Sequence, residues 1–179
     1  LFKMEKSSIL TADTINSGES AALGGAESEG LEIDISGELS DSVSLVFSYA
    51  YVDAGTSTEL YNFDWGVNLP AGSALVNVPK NSANFMLTKD FSVNETDASL
   101  GFSVNYVDDR LGETIDPSYR LPEYTLFNVF GSYKLNEQTQ LSMHIDNLFD
   151  EKHYLSSYHK WWTTPGSPIS YTLGVNYEF

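Results

Sequence analysis

Ser142, His144 and Asp146 carry the residue types of a hydrolytic relay: a nucleophile, a base and an orienting carboxylate. Their spacing argues against that chemistry. Residues two apart on an extended strand stand roughly 6.6 Å apart along it, whereas a relay needs each group in hydrogen-bond contact with the next. Polar side chains sharing one face of a strand account for the three, and no catalytic residue is assigned. Asp108 and Asp109, and the row Glu32, Asp34 and Glu38, bring carboxylates together. Calcium needs several more convergent oxygens than either group offers, so no metal site is assigned. Asn94-Glu95-Thr96 fits the glycosylation pattern, but it falls in a tight turn and matches by accident often. The remaining chemistry is recognition by aromatic side chains. Tyr158, His159, Lys160, Trp161 and Trp162 crowd one loop, and Tyr61, Phe63 and Trp65 another. Aromatic faces and a lysine suit a ligand with flat or anionic groups, and these residues are the candidate ligand contacts. A competing reading places Trp161 and Trp162 in a membrane-interface belt.

Such loops need a scaffold, and composition limits which one. The chain has 179 residues, a formal net charge of −16 from 25 acidic and 9 basic residues, and no cysteine. Phosphate backbones demand a positive surface, so nucleic acid is excluded as a partner. Without cysteine there are neither disulfides nor thiolate metal sites. No run of about 18 apolar residues exists, so no transmembrane helix is expected. The mean hydropathy of −0.22 is no obstacle to a membrane β-barrel, whose strands alternate in polarity. Leu1-Phe2-Lys3-Met4 has neither a start residue nor an apolar signal segment, and the chain reads as a piece of a longer polypeptide.

A period of two recurs along most of the chain, the mark of extended strands whose side chains alternate faces. Leu31, Ile33, Ile35 and Leu39, with Gly37 in phase, oppose Glu32, Asp34, Ser36 and Glu38. Val43, Leu45, Phe47, Tyr49 and Tyr51 resume the apolar phase after a short Ser40-Asp41-Ser42 link, which predicts an antiparallel hairpin. Four further sets follow: Ala83, Phe85, Leu87 and Phe91; Leu100, Phe102, Val104 and Tyr106; Phe127, Val129, Gly131, Tyr133 and Leu135; and Leu141, Met143 and Ile145. The last, Ile169, Tyr171, Leu173, Val175, Tyr177 and Phe179, ends on an aromatic. With an ambiguous opening segment, residues 1–11, this makes about eight strands. Short links near 40–42, 92–96 and 136–139 alternate with long ones near 12–28, 55–76, 109–121 and 150–166. Tight turns on one rim and long loops on the other predict an all-β, antiparallel, up-and-down transmembrane β-barrel segment. Tyr49, Tyr51, Tyr106, Tyr133, Tyr171 and Tyr177 lie in the apolar phase towards strand ends, as an aromatic girdle requires. A soluble lipocalin-like barrel would turn the apolar face inward.

The residues also resemble the C-terminal barrel portion of TonB-dependent outer-membrane receptors, the siderophore-receptor branch in particular. The resemblance covers most of the chain. It rests on Glu29-Gly30-Leu31-Glu32-Ile33 with Phe47-Ser48-Tyr49-Ala50-Tyr51-Val52-Asp53-Ala54, on Val78-Pro79-Lys80-Asn81-Ser82-Ala83-Asn84, and on Leu121-Pro122-Glu123-Tyr124-Thr125-Leu126-Phe127-Asn128. Asp146-Asn147-Leu148-Phe149-Asp150 with Tyr154 is the most recognisable element, and Gly166-Ser167-Pro168 and Tyr177-Glu178-Phe179 complete the order. Glu29 and Ile169 stand where the family usually carries arginine, which leaves the subfamily and its ligand open.

The resemblance implies a Gram-negative outer-membrane receptor for a ferric siderophore or similar nutrient, with no intrinsic cofactor. Such transporters close at about 22 strands around a plug, so residues 1–179 are expected to form the C-terminal part of the barrel, without the plug domain or TonB box. Implied partners are outer-membrane lipid, the TonB complex acting through the N-terminal part, and the barrel insertion machinery. That machinery would read the assembly signal Leu173, Val175, Tyr177 and Phe179. The alternative is a complete eight-stranded outer-membrane protein serving as adhesin or anchor. A piece of a larger barrel should leave its first and last strands unpaired, and a small closed barrel should join residues 1–11 to 169–179.

Overall fold

The structure is a computed structural model that describes residues 1–13, 18–62 and 66–179. Phe63 and Trp65 lie outside the described residues. Regular structure among the described residues is entirely β: β1 (Phe2–Ala12), β2 (Ser20–Ser40), β3 (Val43–Thr56), β4 (Leu60–Asn62), β5 (Val67–Leu69), β6 (Asn81–Val93), β7 (Thr96–Val107), β8 (Arg110–Leu111), β9 (Arg120–Leu121), β10 (Tyr124–Asn136), β11 (Thr139–Asp146), β12 (Tyr154–His159), β13 (Trp162–Pro165) and β14 (Ser170–Tyr177). Eight of these form one antiparallel sheet in the order β1-β2-β3-β6-β7-β10-β11-β14. The other six make three small hairpins, β4-β5, β8-β9 and β12-β13.

The alternation in the sequence sets the register. Ile33 faces Tyr49, Tyr49 faces Ala83, and Ala83 faces Tyr106, so each apolar residue meets another in phase. A slip of one residue would send every apolar side chain to the other face, so the pattern excludes it. One face of the sheet is therefore apolar, and it is open: Ile35, Leu100, Leu173 and Val175 are all exposed. The other face carries a polar ladder. Asn105 Nδ2 donates to Asn84 Oδ1 at 2.5 Å, Asn128 Nδ2 to Asn105 Oδ1 at 2.9 Å, and the Asn147 N–H to Asn128 Oδ1 at 2.9 Å. An exposed apolar face backed by a hydrogen-bonded polar face is the alternation that a transmembrane barrel wall requires.

The tight rim follows from local chemistry. Asn94 and Glu95 both take the left-handed conformation, with φ of 51° and 63°, which closes a two-residue hairpin whose twist matches the strands. Asn136 Oδ1 accepts from the Gln138 N–H at 3.0 Å and shapes the β10-β11 turn. β6, β7 and β10 have 13, 12 and 13 residues, enough for the 9–11 that a tilted strand needs to cross a bilayer.

Two features depart from the sequence reading. The loop expected over 12–28 is largely strand, since β1 and β2 stay paired out to Ala12 and Ser20. Ala21, Ala22, Gly24, Gly25 and Ala26 carry side chains too small to reveal a phase, so a paired stretch resembles a loop. The long loops, moreover, fold back on themselves as the three small hairpins. The sheet stays open: β1 and β14 are its two edges and do not pair with each other. The small closed barrel is not formed.

Candidate functional site: the long-loop rim

The interior of this chain lies among its long loops, not within the sheet. Apart from Ala98, the buried apolar residues among those described are Leu111 and Leu121, and Thr56, Arg110, Glu113, Asn147, His153, Ser157 and His159 are buried polar ones. Every one of these except Ala98 sits at the long-loop rim.

Asn147 stands where β11 ends and the rim begins. Its φ of 52° is one that asparagine tolerates better than most residues. Its Oδ1 accepts from the Glu151 N–H at 2.8 Å, and its Nδ2 donates to the carbonyls of Glu151 and Ser167, both at 3.0 Å. A single amide thus ties together both ends of the loop between β11 and β14. Asp150, with φ 53°, accepts from the Ile169 N–H at 2.9 Å. The Asn147-Leu148-Phe149-Asp150 motif is a fastening at the foot of the β12-β13 hairpin.

Three side chains from distant segments then grip that hairpin by its backbone. Arg110 Nη2 donates to the Tyr154 carbonyl at 2.6 Å and the Leu155 carbonyl at 3.1 Å. Asn77 donates from Nδ2 to the Ser157 carbonyl at 2.7 Å and accepts the Ser157 N–H at 2.8 Å. Glu113 Oε2 accepts the Lys160 N–H at 2.8 Å and lies 3.4 Å from His159 Nε2. Arg110 also stands over the Tyr124 ring, 5.6 Å from its centroid, and Tyr119 and Thr163 share a hydroxyl hydrogen bond of 2.7 Å. Beside them Asp116 accepts from the Ser118 N–H and hydroxyl. Those bonds, with a weaker pull from Lys160, hold its carboxyl below the usual range.

With the backbone held from one side, the large side chains project from the other. Trp161 is 81 % exposed, Trp162 69 % and Tyr158 60 %, and Lys160 is exposed beside them. The Tyr158 and Trp162 rings lie 6.1 Å apart and the His159 and Trp161 rings 4.8 Å apart. His159 departs from its neighbours: it turns inward to Glu113 and is buried. Tyr61 is half-buried on the β4-β5 hairpin, which packs against β1 and β2 at the far end of the sheet. The two aromatic loops singled out in the sequence are therefore not brought together among the described residues. Of the would-be relay, His144 stacks on Phe130 at 6.0 Å and Asp146 accepts from Ser170 at 3.4 Å. Those contacts belong to a polar wall.

Sequence reading passed over Asn77, Arg110 and Glu113. Their partners stand 80, 44 and 47 residues away, beyond any local pattern. The one available signal was Arg110 itself, a scarce cation directly after Asp108-Asp109 in a strongly acidic chain.

The outward rim of the apolar face carries a second polar network. Tyr49 donates to Asn81 Oδ1 at 2.8 Å, Asn81 Nδ2 to Asp108 Oδ2 at 2.7 Å, and the Tyr106 hydroxyl to Glu123 at 3.1 Å. Tyr133 and Tyr177 lie towards the opposite rim, next to Leu141 and Thr139. Rings in the apolar band with hydroxyls at its edges are the arrangement of an interfacial girdle.

Comparison with known proteins agrees with this architecture. The family model described as TonB dependent receptor-like, beta-barrel matches residues 1–148. The metal-pseudopaline receptor CntO of Pseudomonas aeruginosa is 34 % identical over 179 residues, covering 99 % of this chain and 24 % of that protein. A probable TonB-dependent siderophore receptor of Acinetobacter baumannii, PiuA, is 23 % identical over 192 residues, covering 100 % of this chain and 24 % of that one. The crystal structure of PiuA superposes with a TM-score of 0.81 at 22 % identity, over 98 % of this chain and 25 % of that one. The chain spans about a quarter of the length of these relatives. Apolar outer face, polar inner face, sorted rims and family match agree: the chain belongs to the TonB-dependent receptor-like β-barrel family, and its place is the outer membrane of a Gram-negative bacterium.

Proposed function

We propose that this chain is one wall of an active-transport receptor that takes up a ferric siderophore or similar metal chelate, energised by the TonB complex. The metal is cargo here, not a resident cofactor. Residues 1–179 serve as the C-terminal part of the barrel, and the plug and the TonB box belong to sequence outside them. The observation that carries the reading is the β12-β13 hairpin, which presents exposed Tyr158, Trp161 and Trp162 beside Lys160 from a buried polar base. Aromatic faces flanking a cation suit the flat, anionic surface of a metal chelate. Relatives described as receptors for metal-pseudopaline and for a siderophore are consistent with that class of ligand. Tyr61, Phe63 and Trp65 remain proposed contacts of a second loop.

The test is uptake of radioactive iron and of other radioactive transition metals as chelates by cells whose only such receptor carries this chain. With Trp161→Ala and Trp162→Ala combined, half-saturation should rise about tenfold or more, as loss of an aromatic anchor gives, with surface abundance unchanged. Unaltered uptake of every transported chelate would overturn the contact assignment.

A second reading has its own support. Phe149 is 69 % exposed and packs edge-on to Phe127 of the apolar face at 5.2 Å, so the apolar surface climbs to the foot of the hairpin. If the tryptophans above it sat in lipid headgroups, brominated lipids would quench their fluorescence and ligand would not protect it. Ligand contact predicts the reverse.

A further inference from the structure

We propose that Asn77 is a positioning residue which, with Arg110 and Glu113, fixes the pose of the β12-β13 hairpin and makes three long loops of this rim a single body. Arg110 holds the carbonyls of Tyr154 and Leu155, Asn77 holds both the N–H and the carbonyl of Ser157, and Glu113 holds the N–H of Lys160. All these hydrogen bonds end on main-chain atoms, at intervals along one side of the hairpin. A grip on main chain sets where a hairpin stands without engaging the side chains that project outward, Tyr158, Trp161 and Trp162.

Asn77 is the centre of this arrangement. Its side-chain amide reproduces the donor and acceptor of a strand residue and bonds both main-chain groups of Ser157, in addition to the pairing of Ser157 with Thr163 across the hairpin. Its own backbone N–H donates to the Leu111 carbonyl at 2.9 Å, which joins the 70–80 segment to β8-β9 as well. One residue thus touches both of the hairpins that flank it. Its backbone conformation suits that position, since φ is 64°, a left-handed value asparagine adopts more readily than most side chains. Val78-Pro79 follows, and the fixed proline φ stiffens the exit towards β6. Ser157 is 3 % exposed, so its main-chain groups have no water to replace Asn77. The grip is therefore exclusive, and the segment 70–80, β8-β9 and β12-β13 move together or not at all.

That the pose governs ligand capture rests on the function proposed above, whereas the clasp itself is tested without ligand. Cysteine is absent from this chain, so in an intact receptor whose remaining sequence is freed of any cysteine, Lys160→Cys on the hairpin and Gln138→Cys on the tight-turn rim can each carry a spin label. Their distance distribution, measured by pulsed electron resonance, reads the pose directly. The parent should give one narrow distribution. Asn77→Gly, which keeps the left-handed backbone and removes the amide, should broaden it, and the Ser157 amide should exchange with solvent about tenfold faster while β6, β7 and β10 keep their protection. Asn77→Asp, which retains the acceptor for the Ser157 N–H and loses the donor, should fall between. An unchanged distribution in both variants, or loosening spread evenly over the sheet, would overturn the proposal. Should Asn77→Gly fail to reach the membrane, the Asp variant carries the test alone. Intact clasp behaviour with uptake indifferent to Trp161 and Trp162 would sink the ligand reading and leave the clasp standing.

Discussion

At the scale of the residue, several side chains do other work than their types suggest. Asp108, to which the sequence assigns no metal, accepts from Asn81 Nδ2 and from the Asp109 N–H. The Asn81 hydrogen bond is the main reason its carboxyl is held below its ordinary value of 3.8. A depressed carboxyl stabilises the rim above that value, and the contribution disappears as pH falls through the lower, folded one. The rim should therefore hold at every pH from neutral down to about 4 and loosen only in stronger acid. Asn81→Leu should move the Asp108 titration upward, towards 3.8, in a carboxyl carbon NMR titration; an unmoved curve would refute the assignment. Asn147 offers a sterner case. Asn147→Ala removes the bonds to Glu151 and Ser167 and leaves alanine at a left-handed φ, which together should cost about 2–4 kcal/mol. Asn147→Gly should recover only the backbone share, and urea unfolding of the receptor in vesicles measures both. The motif was legible in the sequence as a motif; what it fastens was not, because Ser167 lies 20 residues away.

At the scale of the element, the strands were legible because polarity alternates along them, and the hairpins in the loops were not because nothing alternates there. β12 shows the difference: its buried residues are Ser157 and His159 while Tyr154, Leu155 and Tyr158 face out. That inversion of hydropathy makes sense only once Asn77 and Glu113 are seen beneath it. The strands permit firm predictions. Phe102 lies in the apolar phase near the middle of β7 and Ser103 in the polar one. Phe102→Arg should destabilise the folded receptor by about 2–4 kcal/mol, the cost of a cation at the lipid midplane, and Ser103→Arg by far less. Equal costs in a vesicle unfolding series would mean the faces are assigned wrongly. On the polar face Gly101 makes room for the Phe130 ring, since a Cβ there would stand 2.5 Å from it and 2.9 Å from the Leu87 carbonyl. Gly101→Ala should cost about 1–3 kcal/mol as overpacking. Phe130→Leu should return part of that loss, and a penalty indifferent to residue 130 would show that the backbone contact alone is responsible.

At the scale of the whole molecule, the governing fact is that β1 and β14 remain edges. In hydrocarbon each unpaired backbone group costs several kcal/mol, so this sheet belongs in a bilayer only with strands added on both sides. The family match and a chain spanning about a quarter of its relatives fit that requirement. It also gives the outermost strand a distinct role before the barrel is closed. β14 leaves one row of N–H and carbonyl groups open while Leu173, Val175, Tyr177 and Phe179 line one face, exposed by 79, 71, 51 and 112 %. Tyr177 and Phe179 meet edge to face at 5.1 Å, which closes the apolar row with an aromatic pair at the tight-turn rim. An extended segment with a free edge and an alternating apolar row is what a protein that binds by adding a strand can capture, and we propose that the barrel insertion machinery takes hold of this one. Phe179→Ser should then lower the amount of receptor reaching the cell surface, while the molecules that do insert bind ligand as the parent does, since the clasped loops lie at the opposite rim. Leu173→Ser removes a large, 79 % exposed apolar side chain from the same row without touching the terminal pair, so it separates recognition of the end from simple loss of lipid contact. Surface labelling together with a binding isotherm on intact cells reads both quantities. Normal surface abundance of the Phe179 variant would overturn the assignment, and reduced affinity per inserted molecule would place the defect in the fold rather than in assembly.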